Sequence, residues 1–275
     1  MSGYFALRIP ERGRTPVLVE VPHAGLAIPE AVRGEVRVGD EAVRRDADIY
    51  VDKLYAGAPE VGASLLTAAV SRYVVDLNRS PDDVDAETVA DHPYPRPLQP
   101  RGVVWRLTTD GRPTLDRPLT HTELQQRLAA FHTPYHDALR RELEAIRERF
   151  GFAILLAAHS MPSVGRLGHL DTGARRADVV PGTRGRTTAH PALIDLVDRH
   201  FRSAGLTVRH DEPYRGGWTT SHYGRPHLGW HAIQIELNRA LYVDEMTGEP
   251  RDGEFERLAA LVTDLVEKLG AIDPR

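Results

Sequence analysis

The chain of 275 residues contains no cysteine. That absence removes disulfide frameworks, thiolate nucleophiles, Cys-ligated zinc and iron–sulfur clusters. Any metal must therefore be held by His, Asp or Glu, and the chain carries 13 His and 39 acidic residues. Lysine is almost missing too: apart from Lys53 and Lys268, every basic side chain is arginine. Genome composition accounts for such a bias, but it makes any anion-binding group a guanidinium, suited to two-pronged contact with carboxylates. No long apolar run exists; Ala153–Ala158 falls far short of the ~20 residues that cross a bilayer. The opening stretch, MSGYFALRIP, has neither a basic start with an apolar core nor a small-residue cleavage site. Charge of one sign is not in excess, with 35 basic and 39 acidic residues and a net charge of −4. Neither nucleic acid nor an anionic membrane is expected as a partner. The expectation is a soluble, cytoplasmic protein. Missing motifs narrow the chemistry further: there is no Gly-x-Ser-x-Gly elbow, no P-loop, no Gly-x-Gly-x-x-Gly after a strand and no His-Glu-x-x-His helix.

What is present suits a sizeable core, with 41% hydrophobic and 27% charged residues. Short apolar runs alternate with amphipathic segments. Pro16–Val21 reads as a strand, and Asp40 to about Ala58 as a helix. Ala63–Val70 and Tyr73–Asp76 read as two β-segments. A Pro-rich polar stretch, 80–101, reads as a long loop, a length typical of lids and binding loops. Thr120 with Glu123 forms a capping box opening a helix to Phe150, bent near Pro134. Phe152–Ala158 is a buried strand; Gly165–Arg186 is irregular and rich in Gly and Arg. Pro191–Ser203 reads as a helix, Thr207–Arg209 as a short strand, His231–Leu237 as a clear one, and Glu254–Leu269 as a last helix. The pattern predicts an α/β fold: one domain over residues 1–275, a mostly parallel or mixed central sheet flanked by helices, and a long loop near 80–101.

Polar residues fall at the ends of these strands. His23 lies just past PVLVEV, Asn78 and Arg79 just past Tyr73–Asp76, His159 at the end of FAILLAA, and Glu236 late in HAIQIEL. Ligands of open parallel sheets bind outside that edge, and buried charges need partners, so the groups are expected at a shared site. Glu236 shares a strand face with Gln234 and Asn238, opposite Ile233, Ile235 and Leu237; it is either paired, with Arg239 as candidate, or functional. Two imidazoles and one carboxylate leave an open position on a hydrolytic zinc, and a free carboxylate then serves as general base. His23, His159 and one of Asp46, Asp48 and Asp52 fit that description, with Glu236 handling protons.

At these residues the sequence resembles the N-formylglutamate amidohydrolase (deformylase) family. The matching pieces are VPHAG (21–25), DADIYVDKLY (46–55), SRYVVDLNR (71–79), HSMPS (159–163), PYRGGWTTSHYGRP (213–226) and QIELNRALY (234–242). The family is similar to zinc carboxypeptidase and aspartoacylase-like hydrolases, which implies that fold and one Zn2+ per chain. The resemblance implies metal ligands His23, Asp48 and His159, with Glu236 and Arg72 as catalytic residues. It implies substrate-binding roles for Asn78, Arg79, Arg215, His222 and Tyr223. The implied reaction is hydrolysis of N-formyl-L-glutamate to formate and L-glutamate, in histidine degradation, with an acidic N-acyl amino acid as the small-molecule partner. Two alternatives are a related metallo-amidase with another N-acyl amino acid or peptide-like substrate, and a non-catalytic acidic-ligand-binding protein of the same fold. In one departure, Ala157-Ala158 precede His159 where relatives in histidine breakdown carry an acid.

Overall fold

The apolar runs assemble into one six-stranded sheet with helices on both faces in the computed structural model, which describes residues 3–166 and 171–274. The strands are β1 (Phe5–Arg8), β2 (Val17–Val21), β3 (Ser64–Ala68), β4 (Ala153–Met161), β5 (Val179–Gly182) and β6 (Trp230–Asn238), in the order β1-β3-β2-β4-β6-β5. The four inner strands β3, β2, β4 and β6 run parallel, while β1 and β5 close the edges antiparallel. The sheet is thus mixed. The helices are α1 (Glu30–Arg33), α2 (Asp40–Asp46), α3 (Val51–Leu54), α4 (His121–Arg127), α5 (Thr133–Phe150), α6 (Pro191–Ser203), α7 (Trp218–Tyr223) and α8 (Glu254–Ala271).

Both faces of the inner strands are buried, which is why they read as continuous apolar runs. One face carries Val17, Val19, Val21, Ile154, Leu156, Ile233 and Ile235 against Leu193 and Val197 of α6 and Val262 and Leu265 of α8. The other carries Leu18, Leu155 and Ala232 against Tyr135, Leu139 and Ile146 of α5. Each such aliphatic side chain contributes about 1.5–3 kcal/mol when fully buried. On this second face the apolar pattern stops before the strands do. Glu20, His159, Gln234 and Glu236 replace aliphatic residues towards the C-terminal ends, all of them buried.

The sequence expectations fail in instructive places. The single helix expected from Asp40 is broken into α2 and α3. Ala47 takes an extended backbone and Tyr50 a left-handed one, at φ 64°. Tyr73–Asp76 is a succession of turns rather than a strand, because Val74 and Val75 bury into the second core without a strand neighbour. Thr207–Arg209 supplies only a bridge between Val208 and Val179. The half-exposed β1, the four-residue β5 and the six-residue α7 carry too little periodicity to be read. The Thr120 capping box forms as expected. The helix then runs through a π-type turn at Leu128–His132 into α5, where Pro134 brings no N–H to the backbone ladder. Residues 80–101 contain no regular element, yet Val84 and Val89 are buried against α5 and its neighbours, so the segment is folded onto the body. Of the Gly- and Arg-rich stretch, residues 167–170 lie outside the described residues. No helix among the described residues is long and apolar enough to cross a membrane.

Glu20 points into the second core, where Tyr135 Oη–H donates to its Oε1 at 3.2 Å. Burial dominates and pushes this carboxyl up to about 8, with hydrogen bonds from Tyr135 and Thr219 opposing. The folded state therefore holds a proton that the unfolded chain loses near pH 4.5. Stability from this group is full below that value and declines until the folded pKa of about 8 is passed. Glu20→Gln is expected to raise the urea midpoint at pH 8 relative to wild type and to leave it nearly equal at pH 5. The difference at pH 8 is on the order of 4 kcal/mol. Parallel pH–stability curves for the two proteins would refute the assignment.

Candidate active site

Three segments deliver one ligand atom each to a single point. His23 sits in the turn leaving β2, which packs tightly on the chain leaving β3: a Cβ on Gly25 would stand 2.4 Å from the Ala69 carbonyl carbon. Asp48 lies in the break between α2 and α3, and its N–H donates to the His23 carbonyl at 2.9 Å. The broken helix thus has a local purpose, since an unbroken one would not turn this carboxylate towards β2. His159 extends from β4. The imidazole centroids of His23 and His159 stand 4.9 Å apart.

The atoms facing one another form a triangle. His23 Nδ1 and His159 Nδ1 are 3.2 Å apart, His159 Nδ1 and Asp48 Oδ2 3.0 Å, and His23 Nδ1 and Asp48 Oδ2 3.5 Å. Tetrahedral zinc with ligands at about 2.0–2.2 Å sets neighbouring ligand atoms roughly 3.3–3.6 Å apart. The donor set therefore fits a small divalent cation in size and chemistry, and all three residues are buried. Asp76 orients the first imidazole: His23 Nε2–H donates to its Oδ1 at 2.7 Å, which turns Nδ1 inward as a lone pair. Trp105 Nε1–H donates to the other oxygen of Asp76 at 2.9 Å. Burial opposes ionisation of Asp76, but the contact with His23, together with Arg72 and Arg79, holds it well below the usual carboxylate range. Burial likewise opposes Asp48, and bonds from His159 and His23 with the Arg72 charge hold it well below normal. Asp46 is occupied elsewhere, by Arg45, Thr109 and Tyr73. Asp52 is not part of the ligand cluster.

Glu236 stands beside this triangle, its backbone paired with His159 across β4 and β6. Its Oε1 accepts from Gln234 Nε2 at 2.8 Å. Burial pushes the carboxyl up to about 7; His159 opposes the rise, Asp48 reinforces it, and Arg72 and Arg239 oppose it. Arg239 does not pair with Glu236: its Nη2 donates to Asp48 Oδ1 at 3.2 Å and its Nε to Ser160 Oγ at 3.1 Å. Gln234 Oε1 also accepts from the Gly217 N–H at 2.8 Å and from Asn78 Nδ2 at 3.2 Å. Asn78 Oδ1 accepts from the Thr219 N–H at 3.0 Å, leaving Nδ2 within 3.2 Å of His159 Nε2. Gly217 has to be glycine for this approach, because a Cβ there would lie 2.3 Å from Asn78 Nδ2.

These groups line a cavity of about 310 Å³. His23, Asp48, Arg72, Asn78, Arg79, His159, Arg215 and Glu236 all contribute to its wall. His222 and Tyr223 do not. Tyr223 is buried behind the site, where its hydroxyl meets His136 Nδ1 at 3.2 Å, and His222 stacks on Trp218 at the surface. Along this stretch the wall ends at Gly217, so no residue of α7 lines the cavity. Arg72 reaches the Asp46 carbonyl at 3.1 Å and contacts His23 Nδ1, so its guanidinium lies against the metal-competent triangle. Sequence reading missed Asp76, Gln234, Trp105 and Arg101 on this wall. For Asp76 the SRYVVDLNR stretch held the signal, since it places an acid two residues from Asn78.

Fold and site together define a class: a mixed α/β sheet whose parallel core opens, at its C-terminal edge, on a His–Asp–His donor set with a buried glutamate alongside. The N-formylglutamate amidohydrolase family model matches residues 15–243, and the chain belongs to that family. It is 34% identical over 264 residues to N-formylglutamate deformylase of Pseudomonas aeruginosa, covering 94% of each chain. Identity to the Pseudomonas putida deformylase is 34% over 237 residues, covering 85% of this chain and 84% of the relative. Among solved structures, N-formylglutamate amidohydrolase from Ralstonia eutropha JMP134 superposes with a TM-score of 0.87 at 35% identity, covering 97% of both chains. A gene product of Agrobacterium tumefaciens shares the fold, with a TM-score of 0.71 at 20% identity over 97% of this chain and 94% of its own.

Removing the orienting acid tests the triangle without touching a ligand atom. Asp76→Ala is expected to weaken zinc binding 10–100-fold, measured by competition with a chromophoric chelator. Wild-type affinity in a folded Asp76→Ala protein would show that the triangle does not depend on Asp76.

Proposed function

We propose that the whole chain acts as one amidohydrolase domain that removes the formyl group from N-formyl-L-glutamate, giving formate and L-glutamate. The observation that carries this reading is the buried Glu236 held in register with His159, next to a donor set sized for a cation. The comparisons support the substrate, and the arginine-lined wall suits a dicarboxylate. His23, Asp48 and His159 would hold one Zn2+ per chain. The ion supplies positive charge against an amide carbonyl and lowers the pKa of water, two contributions that hydrolysis of an unreactive amide needs.

The remaining work belongs to side chains. Arg72, against the triangle, faces the oxygen on which negative charge develops; losing such a donor typically costs about 3–4 kcal/mol. Glu236, raised towards neutrality by burial, takes a proton from the attacking water and passes it to the departing nitrogen. Its raised pKa suits both halves of that task. Arg79 and Arg215, with Asn78 beside them, hold carboxylate and orient the amide. The family resemblance supports a cytoplasmic setting and a role in histidine degradation.

Formate release from N-formylglutamate, with added zinc and with a chelator, tests the reading directly. Zinc-dependent release is expected; no release from the zinc-loaded protein sinks it. Glu236→Gln should lower kcat about 10³-fold, with KM within roughly threefold and zinc stoichiometry intact. The acidic limb of the wild-type pH–rate profile should also be absent from its residual activity. A near-normal kcat in that variant removes the proton-transfer role.

A further inference from the structure

The arginines around the cavity divide into two kinds. Arg45 is tied to Asp46 and Asp110, Arg239 to Asp48 and Ser160, and Arg72 to the Asp46 carbonyl and His23. Arg79, Arg101 and Arg215 have guanidinium groups with no hydrogen-bond or ion-pair partner among the described residues, although all three line the cavity. Their positions differ. Arg79 follows Asn78, whose amide touches His159. Arg215 precedes the turn whose Gly217 N–H is fixed on Gln234. Both therefore belong to the side of the cavity next to Glu236 and His159. Arg101 comes from elsewhere, the end of the Pro-rich segment, and its Nε is buried with no partner. Arg101 is half-buried, and a buried Nε–H without an acceptor is costly to keep, so a ligand anion is a natural partner for it.

Local structure fixes where Arg101 can act. A bridge pairs Arg101 with Trp105, and the N–H groups of Arg106 and Leu107 both donate to the Pro100 carbonyl, at 2.8 and 3.2 Å. Trp105 is buried and anchored on Asp76 through its indole N–H. The guanidinium carbon of Arg72 lies 4.8 Å from the Trp105 ring centroid, and that of Arg101 lies 5.9 Å from it. The indole thus carries two cations, Arg72 against the ligand triangle and Arg101 from the end of the Pro-rich segment. In a formylated glutamate the α-carboxylate is attached close to the amide, while the side-chain carboxylate lies two methylenes beyond.

We propose that Arg101 is the specificity-determining residue that binds the distal, side-chain carboxylate of the substrate, with Trp105 covering the methylenes between. Arg79 and Arg215 then serve the α-carboxylate. The assignment rests on the N-formylglutamate reading and deepens it. It gives residues 80–101, which are otherwise without regular structure and reach the cavity only through Arg101, a role at their end: the residue that distinguishes an acidic side chain from a neutral one.

The test compares Arg101→Gln with wild type, both zinc-loaded, on N-formylglutamate and on its neutral isostere N-formylglutamine. A site built for a charged group discriminates steeply against an analogue that lacks it. Wild type is expected to prefer the dicarboxylate. In Arg101→Gln, kcat/KM should fall about 100-fold on N-formylglutamate, mainly through KM, and less than about fivefold on N-formylglutamine. Arg101→Lys should recover part of the preference. Equal losses on the two substrates, no loss on either, or a collapse of the preference in Arg215→Gln but not in Arg101→Gln would each overturn the assignment. Failure of wild type to release formate from either substrate would instead count against the reading on which it rests.

Discussion

Two imidazole nitrogens and one carboxylate oxygen crowd into a buried space with sides of 3.0 to 3.5 Å. Lone pairs held so close repel one another unless a proton or a cation lies between them. The surroundings are organised to sustain that crowding. Asp76 commits the other nitrogen of His23 as a donor, and Arg239 draws on the second oxygen of Asp48. Asn78 Nδ2–H donates to the far nitrogen of His159, which puts the proton of a neutral His159 on Nδ1, facing Asp48. Trp105, Gln234 and Gly217 fix those supports in turn. The cavity wall is therefore the outer surface of a hydrogen-bonded network whose centre is electron-rich.

The same network explains how Glu236 differs from the other acids nearby. Asp46, Asp48 and Asp76 each receive several donors and stay ionised, whereas Glu236 receives one amide N–H from Gln234 and lies fully buried beside Asp48. Environment alone separates four carboxyl groups on one cavity wall into three fixed charges and one group able to change its proton within the neutral range.

Much of this was legible in the sequence, for definite reasons. Parallel strands buried on both faces appear as apolar runs, so β2, β4 and β6 could be found, and with them the edge where His23, His159 and Glu236 emerge. Residues positioned by irregular chain were harder. Asp48 depends on a helix break that the apolar spacing of residues 40–58 conceals, because Val43, Val51 and Leu54 stay buried whether or not the helix is continuous. Asp76 reads as the end of a strand, although it opens a turn, its carbonyl accepting from the Arg79 N–H. Arg101 sits in a Pro-rich stretch with no periodicity at all. Its environment is set by long-range packing on Trp105, which no local pattern records. His222 and Tyr223 show the opposite failure: they sit within a family-like stretch, but α7 carries them off the wall.

The short outer strand β5 has a consequence for the chain as a whole. An unpaired strand edge is a template for sheet-to-sheet association. Here the outer edge of β5 is closed by residues 207–211: Val179 N–H donates to the Thr207 carbonyl, Arg209 N–H to Val179, and Asp211 N–H to Pro181. Pro181 contributes no N–H of its own. The covering strip continues directly into Pro213–Gly217 on the cavity wall. Protection against aggregation and the shape of the binding wall are thus carried by one ribbon of backbone, and loosening either end of it loosens both.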